Sequence, residues 1–124
     1  MEFQTTKGIY LQLADTIKER IISGEYKAGE KIPSVREFAS KMGVNPNTIM
    51  RTFGELQSLS IIENKRGIGY FVKEDAKDSI LQEKKAEFFD KIIPEFLHQA
   101  RLIGITDKEI SLHFAQLKND HNED

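Results

Sequence analysis

Cysteine is absent from this chain of 124 residues. Without thiols, the protein has no disulfide, no thiolate nucleophile and no zinc site with a sulfur ligand. Long apolar runs are also missing: no stretch approaches the roughly 18 residues of a membrane-spanning helix, and the N-terminus lacks an export signal. These absences predict a cytoplasmic protein with no membrane partner. A hydrophobic content of 39% allows one modest core.

Charge is distributed unevenly along the chain, although the net charge is only −2. Residues 1–73 carry 11 Lys and Arg against 8 acidic residues, whereas residues 74–124 carry 7 against 12. The mild positive surplus of the first part permits nucleic-acid binding without establishing it. We therefore expect two domains with different partners, residues 1–73 and residues 74–124.

Three helices are predicted in the first part. Apolar residues at spacings of three and four indicate a helix over residues 9–23. Ser34 and Glu37 fit a capping box that starts a second helix, and Pro46 behind an Asn cap starts a third. Two short helices joined by a glycine-containing turn form a helix-turn-helix. On spacing alone, DNA binding and an ordinary helical corner are equally good interpretations.

A β-hairpin follows the third helix. Residues 60–64 and 70–73 are rich in β-branched and aromatic side chains, and the segment between them holds two glycines and two adjacent cations. Three helices and a hairpin with a basic tip indicate a winged helix. The predicted fold class is mainly α with a small β-hairpin wing, a winged helix-turn-helix followed by an α-helical dimerisation hairpin.

The second part is predicted to be a helical hairpin. Its fourth helix begins at Asp75 or Asp78 and keeps apolar spacing over some 28 residues, with Pro94 in the middle. A proline there removes one backbone hydrogen bond, so we expect a kink around residues 90–94 or a break into two helices. Thr106 and Glu109 form a second capping box, which opens the last helix.

The apolar faces of this hairpin are too large for two helices to bury alone. The winged helix of the same chain or the hairpin of a second chain could cover them. We favour a homodimer, because two copies together would give so mildly basic a surface a useful affinity for DNA. Two recognition helices about 34 Å apart would then read a palindromic site. The expected interface residues are Leu81, Phe88, Phe89, Ile92, Phe96, Ile103, Phe114 and Leu117.

Three sequence blocks, residues 29–39, 43–53 and 66–72, together resemble the DNA-binding domain of GntR-family bacterial transcription regulators. The resemblance covers about residues 8–73, and the short helical tail resembles the YtrA subfamily. It implies a homodimeric repressor of a palindromic operator, often one that controls a transporter operon. No cofactor or metal is implied. A small-molecule effector, if there is one, would bind between the tail helices or between tail and winged helix.

The resemblance also implies which residues contact double-stranded DNA. Arginine can bind guanine or phosphate in a bidentate manner, asparagine can pair with adenine, and wing glycines let the backbone approach the duplex. For the two caps among these residues, direct contact and an indirect role both stay open, and the lysine is either a phosphate contact or a solvated charge. The expected DNA-binding residues are Ser34, Arg36, Asn45, Asn47, Thr48, Arg51, Lys65, Arg66, Gly67 and Gly69.

Two residues depart from the family pattern. Ser60 stands where the family usually has glycine, although serine tolerates a positive φ less well. Gly54 lies in the middle of the recognition helix, where it costs about 1 kcal/mol relative to alanine. Together they predict a recognition helix that is looser before DNA binds.

Other functions have less support in the sequence. His98, His113 and His121 fall on different helical phases and have no metal partner at useful spacing, and no catalytic triad is apparent, so we expect no enzyme. The alternative is a winged-helix module for protein–protein interaction without specific DNA binding. DNA binding would be favoured if the predicted arginines and the basic tip shared one face.

Overall fold

The computed structural model describes residues 8–121 as two compact units, one ending at Glu83 and the next beginning at Lys84. We call residues 8–83 the head unit and residues 84–121 the tail unit. The head unit extends past residue 73, the boundary expected from the sequence. The reason is that Ala76 and Ile80, which follow the hairpin, are fully buried in its core.

Three helices form most of the head unit: α1 (Ile9–Ser23), α2 (Val35–Met42) and α3 (Pro46–Ser58). Both predicted caps are present. At the start of α2, the Ser34 hydroxyl accepts from the Glu37 N–H at 3.1 Å, and the Glu37 carboxylate accepts from the Ser34 N–H at 2.9 Å. Two backbone donors that helix formation leaves unpaired are thereby satisfied.

The core of the head unit is built from the apolar faces of these helices. Phe53 of α3 lies at its centre, fully buried, with its ring edge-to-face against those of Phe38 and Tyr70 at centroid distances of 6.0 and 4.8 Å. Such geometry adds stabilisation beyond the burial of apolar area. The largest buried side chains around Phe53 are Ile17, Ile32, Phe38, Ile49, Leu56, Ile61, Ile62 and Ile80.

The predicted hairpin is an antiparallel pair, β1 (Ile62–Lys65) and β2 (Gly69–Val72), closed by residues 66–68. Its inner face continues the core, because Ile62 and Val72 are a buried cross-strand pair. The hairpin is reached through Ser60, whose φ of 61° is the only positive value of a non-glycine residue within residues 8–121. The family's glycine therefore matches a backbone requirement that serine meets at a cost of about 1 kcal/mol.

The tail unit continues the helix that starts in the head unit, α4 (Ala76–Glu87), through a wider π-helical turn (Phe88–Ile92) into α5 (Ile93–Leu102). In that turn, the Ile93 N–H donates to the Phe88 carbonyl, five residues back. Pro94 follows at the second position of α5. No non-helical residue separates α4 from α5, so the disturbance expected at Pro94 takes the form of a π turn.

The last helix, α6 (Asp107–His121), begins at the second capping box. The Thr106 hydroxyl accepts from the Glu109 N–H at 3.1 Å, and the Glu109 carboxylate accepts from the Thr106 N–H at 2.8 Å. Within residues 84–121 only Ala100 is buried. Among the helices of the described chain, none has the length and apolar character needed to span a membrane.

Candidate nucleic-acid interface

One face of α3 is open to solvent. Asn47, Met50, Arg51 and Gly54 recur at the spacing of one helical face, and all four are exposed. The opposite face is anchored in the core by Ile49, Thr52, Phe53 and Leu56. A short amphipathic helix of this kind can enter a major groove without losing its packing against the domain.

The start of α3 is fixed by its cap. The Asn45 side-chain oxygen accepts from the Asn47 N–H at 2.7 Å, and Pro46 occupies the first turn, where its missing N–H costs nothing. Thr48 is half-buried, and its carbonyl accepts from the Thr52 hydroxyl at 3.0 Å. The Asn45 side chain is thus already engaged in capping, whereas the side chain of Asn47 is exposed to solvent.

Arg51 is supported by an aromatic ring from α1. Its guanidinium carbon lies 3.9 Å from the centroid of the Tyr10 ring. Tyr10 is tied to α3 in turn, because the Thr52 hydroxyl lies 3.0 Å from the Tyr10 carbonyl, which shares the hydroxyl's one proton with the Thr48 carbonyl. Stacking of this kind restricts an arginine while its N–H groups stay available at the edge of the plane. Arg51 is therefore held at the exposed surface of α3.

The start of α2 contributes a second cationic position. Arg36 is exposed in the first turn, next to the capping box. The backbone and side-chain hydrogen bonds from Ser34, with smaller contributions from the charges of Lys31 and Lys41, lower the pKa of Glu37 below its usual value of 4.5. Ser34 is committed to this cap, so Arg36 is the residue here that is free to bind an anion.

The hairpin turn presents the remaining cations. Arg66 is exposed, and Gly67 has a φ of 78°, a backbone conformation that other residues rarely adopt. Lys65 lies with its ammonium 4.4 Å from the centroid of the Phe71 ring and 3.9 Å from a carboxylate oxygen of Glu63. The lysine is therefore a partly neutralised charge, and Arg66 is the stronger candidate for phosphate.

Two exposed apolar residues of the interface were not predicted. Met50 is 58% exposed on α3, and Ile68 is 60% exposed in the hairpin turn. The helical spacing from Asn47 could have identified Met50, because residues three apart share a face. Both side chains are suited to contact base methyl groups or sugar carbons in a groove.

The expected interface residues of the tail lie mostly on exposed helix surfaces. Leu81 differs, because it is half-buried within the head unit. Phe96 and Phe114 come together, with ring centroids 6.3 Å apart and planes 21° from parallel. They line a cleft of about 350 Å³ in the tail unit together with Ile105, Glu109, Ile110 and His113. The exposed members of the predicted set are Phe88, Phe89, Ile92, Phe96, Ile103, Phe114 and Leu117.

The described chain shows no grouping suited to metal. Across residues 8–121, no three His, Asp or Glu side chains are placed to hold one ion. Every buried side-chain nitrogen and oxygen of those residues has a hydrogen-bond partner. The candidate interface presents exposed arginine, lysine and asparagine side chains and helix N-termini, which suit recognition of a polyanion.

Comparison with known proteins supports the same interpretation. The model of the family described as "Bacterial regulatory proteins, gntR family" matches residues 9–72. The chain is 42% identical over 109 residues to the HTH-type transcriptional regulator YhcF of Bacillus subtilis, covering 88% of each protein. It is 41% identical over 81 residues to the HTH-type transcriptional repressor YtrA of the same organism, covering 65% of this chain and 62% of YtrA.

A solved structure is similar over nearly the whole chain. The crystal structure of a GntR-family transcriptional regulator from Bacteroides thetaiotaomicron has 41% sequence identity and a TM-score of 0.75, covering 93% of this chain and 100% of that one. The winged helix predicted from the sequence is thus confirmed. The chain belongs to the GntR family of bacterial regulatory proteins, as a YtrA-like member whose winged helix-turn-helix is that of a DNA-binding transcriptional regulator.

Proposed function

We propose that the chain acts in the cytoplasm as a homodimeric repressor that binds a palindromic operator. The observation that carries this proposal is the exposed face of α3. Asn47 and Arg51 are four residues apart on this face, and the Arg51 guanidinium stacks on the Tyr10 ring. Arginine and asparagine are the side chains that read guanine and adenine edges in the major groove. Arg36 and Arg66 would bind phosphates on either side and fix the helix in the groove.

Dimerisation through the tail unit is the second part of the proposal. Its support is the concentration of exposed apolar side chains on α5 and α6, led by Phe96 and Phe114. A two-fold pairing of these faces would bury them and hold two heads one turn of DNA apart. The repressor role is supported by the similarity to YtrA, which is named a repressor.

An effector would fit the same region. The tail cleft of about 350 Å³ is within the size range of small-molecule sites, and its lining is apolar apart from Glu109 and His113. A ligand there would carry an apolar body and a hydrogen-bonding group. Its binding would compete with, or reshape, the pairing of two tails.

Selection of duplexes from a random DNA pool at two salt concentrations tests the proposal. An enriched palindrome with half-sites about one helical turn apart is the expected result. Weak binding that depends on salt and not on sequence would contradict the operator proposal and favour the protein-interaction alternative, in which Met50 and Ile68 would be anchors.

Arg51→Ala tests base reading directly. We expect it to cost about 1 to 3 kcal/mol of binding and to relax preference at one base position of the selected duplex. Isotherms on matched and mismatched duplexes measure both effects. Lys65→Ala is the matched control: it should weaken all duplexes alike and lower the salt slope by at most about one. Equal losses on all duplexes for Arg51→Ala would show that it binds only phosphate.

Phe96→Glu tests the dimer. A carboxylate in the middle of the apolar face should prevent pairing, because burying it unpaired costs several kcal/mol. Sedimentation velocity is expected to show monomers, with affinity for the full palindrome reduced to that of a half-site. Lys118→Glu, an exposed change on α6, controls for added charge. Dimers that survive Phe96→Glu would place the interface elsewhere.

A further inference from the structure

The wing has a third strand-like segment that the sequence did not reveal. Residues 29–32 run antiparallel to β2, with Val72 N–H donating to the Glu30 carbonyl at 2.9 Å and Ile32 N–H donating to the Tyr70 carbonyl at 2.9 Å. Lys31 is directly opposite Phe71 in this pairing. Because Ile32 points into the core, Lys31 lies on the outer face of the wing, where it is exposed.

The stem of Lys31 lies across Gly69. A Cβ placed on Gly69 would come 2.7 Å from Cε and 3.6 Å from Nζ of Lys31. The missing side chain of Gly69 therefore provides the space that the lysine stem occupies. This contact holds an otherwise flexible side chain against the first residue after the turn, next to Lys65, the cross-strand partner of Gly69.

The charge of Lys31 also acts at the start of α2. It is one of the causes that lower the pKa of Glu37, after the hydrogen bonds from Ser34. The lysine thus lies between two positions of the interface, the α2 N-terminus with Arg36 and the hairpin turn with Arg66. Among the described residues, no carboxylate oxygen comes within 4.0 Å of its ammonium, whereas Lys65 and Lys73 both share Glu63.

We propose that Lys31 binds a DNA backbone phosphate between the contact of Arg36 and the contact of Arg66. The inference rests on the proposed DNA-binding function and adds a residue that the resemblance to the family did not imply. An ammonium held by packing, with no carboxylate at ion-pair distance among the described residues, stays available to an anionic ligand and loses little side-chain entropy on binding. The duplex backbone would then be contacted by three segments, the start of α2, residues 29–32 and the hairpin turn.

Lys31→Gln tests the assignment, because it removes the charge and keeps most of the stem. The probes are a random-sequence duplex of about 30 base pairs and the duplex selected by the unmodified protein. Loss of one phosphate contact should lower the slope of log affinity against log salt by about 0.9, which corresponds to about an eightfold loss at 0.1 M salt. The same factor is expected for both duplexes, and Lys31→Arg should retain the slope.

Lys77→Gln is the matched control, since it removes the same charge from an exposed position on α4 and should leave the slope unchanged. Thermal unfolding of each variant checks that the wing is intact. A slope for Lys31→Gln equal to that of the unmodified protein overturns the proposal, as does a loss confined to the selected duplex, which indicates base reading. If the unmodified protein binds neither duplex, the proposed function itself fails.

Discussion

The head unit and the tail unit use the same residue type in opposite ways. In the head, Phe38 and Phe53 are 1% and 0% exposed, and each contacts another ring. In the tail, Phe89 and Phe114 are 67% and 57% exposed. Aromatic residues in the head therefore hold a domain together, whereas those in the tail are available for another surface. We therefore expect the head unit to fold alone and the tail unit to need a surface that covers its exposed aromatic residues.

Truncating one phenylalanine in each unit tests this comparison. Phe53→Ala should lower the free energy of unfolding by about 3 to 5 kcal/mol, since it opens a cavity that its neighbours cannot fill. Phe96→Ala should cost less than about 1 kcal/mol in dilute protein, where no partner covers the ring, and more as protein concentration rises. Urea unfolding at several concentrations measures both. Equal costs at high dilution would mean that Phe96 is already buried within one chain.

One ion pair marks the end of the head. Lys18 of α1 is only 6% exposed, and its ammonium lies 3.1 Å from a carboxylate oxygen of Glu83 on α4. The glutamate side chain is 56% exposed, so the pair is half in solvent. The unit therefore ends where a buried cation meets a carboxylate on the following helix.

Removing the exposed carboxylate of this pair should lower the stability more than removing the buried ammonium. Glu83→Ala leaves a nearly buried ammonium unpaired and should cost about 2 kcal/mol, between the values for exposed and buried pairs. Lys18→Met replaces the buried charge with an apolar chain of similar length and should be close to neutral. Thermal unfolding separates the two variants. A Lys18→Met loss as large as that of Glu83→Ala would show that the pair itself stabilises the head.

Local signals in the sequence predicted much of this fold. Both capping boxes, at Ser34 and Thr106, form as expected because a cap depends on four consecutive residues. The left-handed Ser60 was likewise flagged by its departure from the family's glycine. None of these features needs knowledge of tertiary contacts: the caps can be found in a single sequence, and Ser60 can be found once the family pattern is known.

Features that depend on distant residues were not predictable in the same way. The pairing of Lys31 with Phe71 joins residues far apart in the chain, and the cation–π contact of Arg51 with Tyr10 joins two helices. The end of the head unit at Glu83 depends on distant contacts as well, because only packing shows that Ile80 completes the core. The sequence therefore predicted a set of candidate side chains, which stays a prediction, and it did not predict the contacts that hold them in place.

The head unit has a well-packed core, but Gly54 on the exposed face of α3 lowers the helix propensity there. Substituting this glycine tests the difference between the core and the exposed face. A Cβ added to Gly54 would meet no heavy atom within 4 Å, so Gly54→Ala should raise the free energy of unfolding by about 1 kcal/mol through helix propensity alone. Urea unfolding measures this gain. Affinity for the selected duplex should fall if the bare backbone is needed for close approach to DNA. A more stable variant with unchanged affinity would show that the glycine serves no contact.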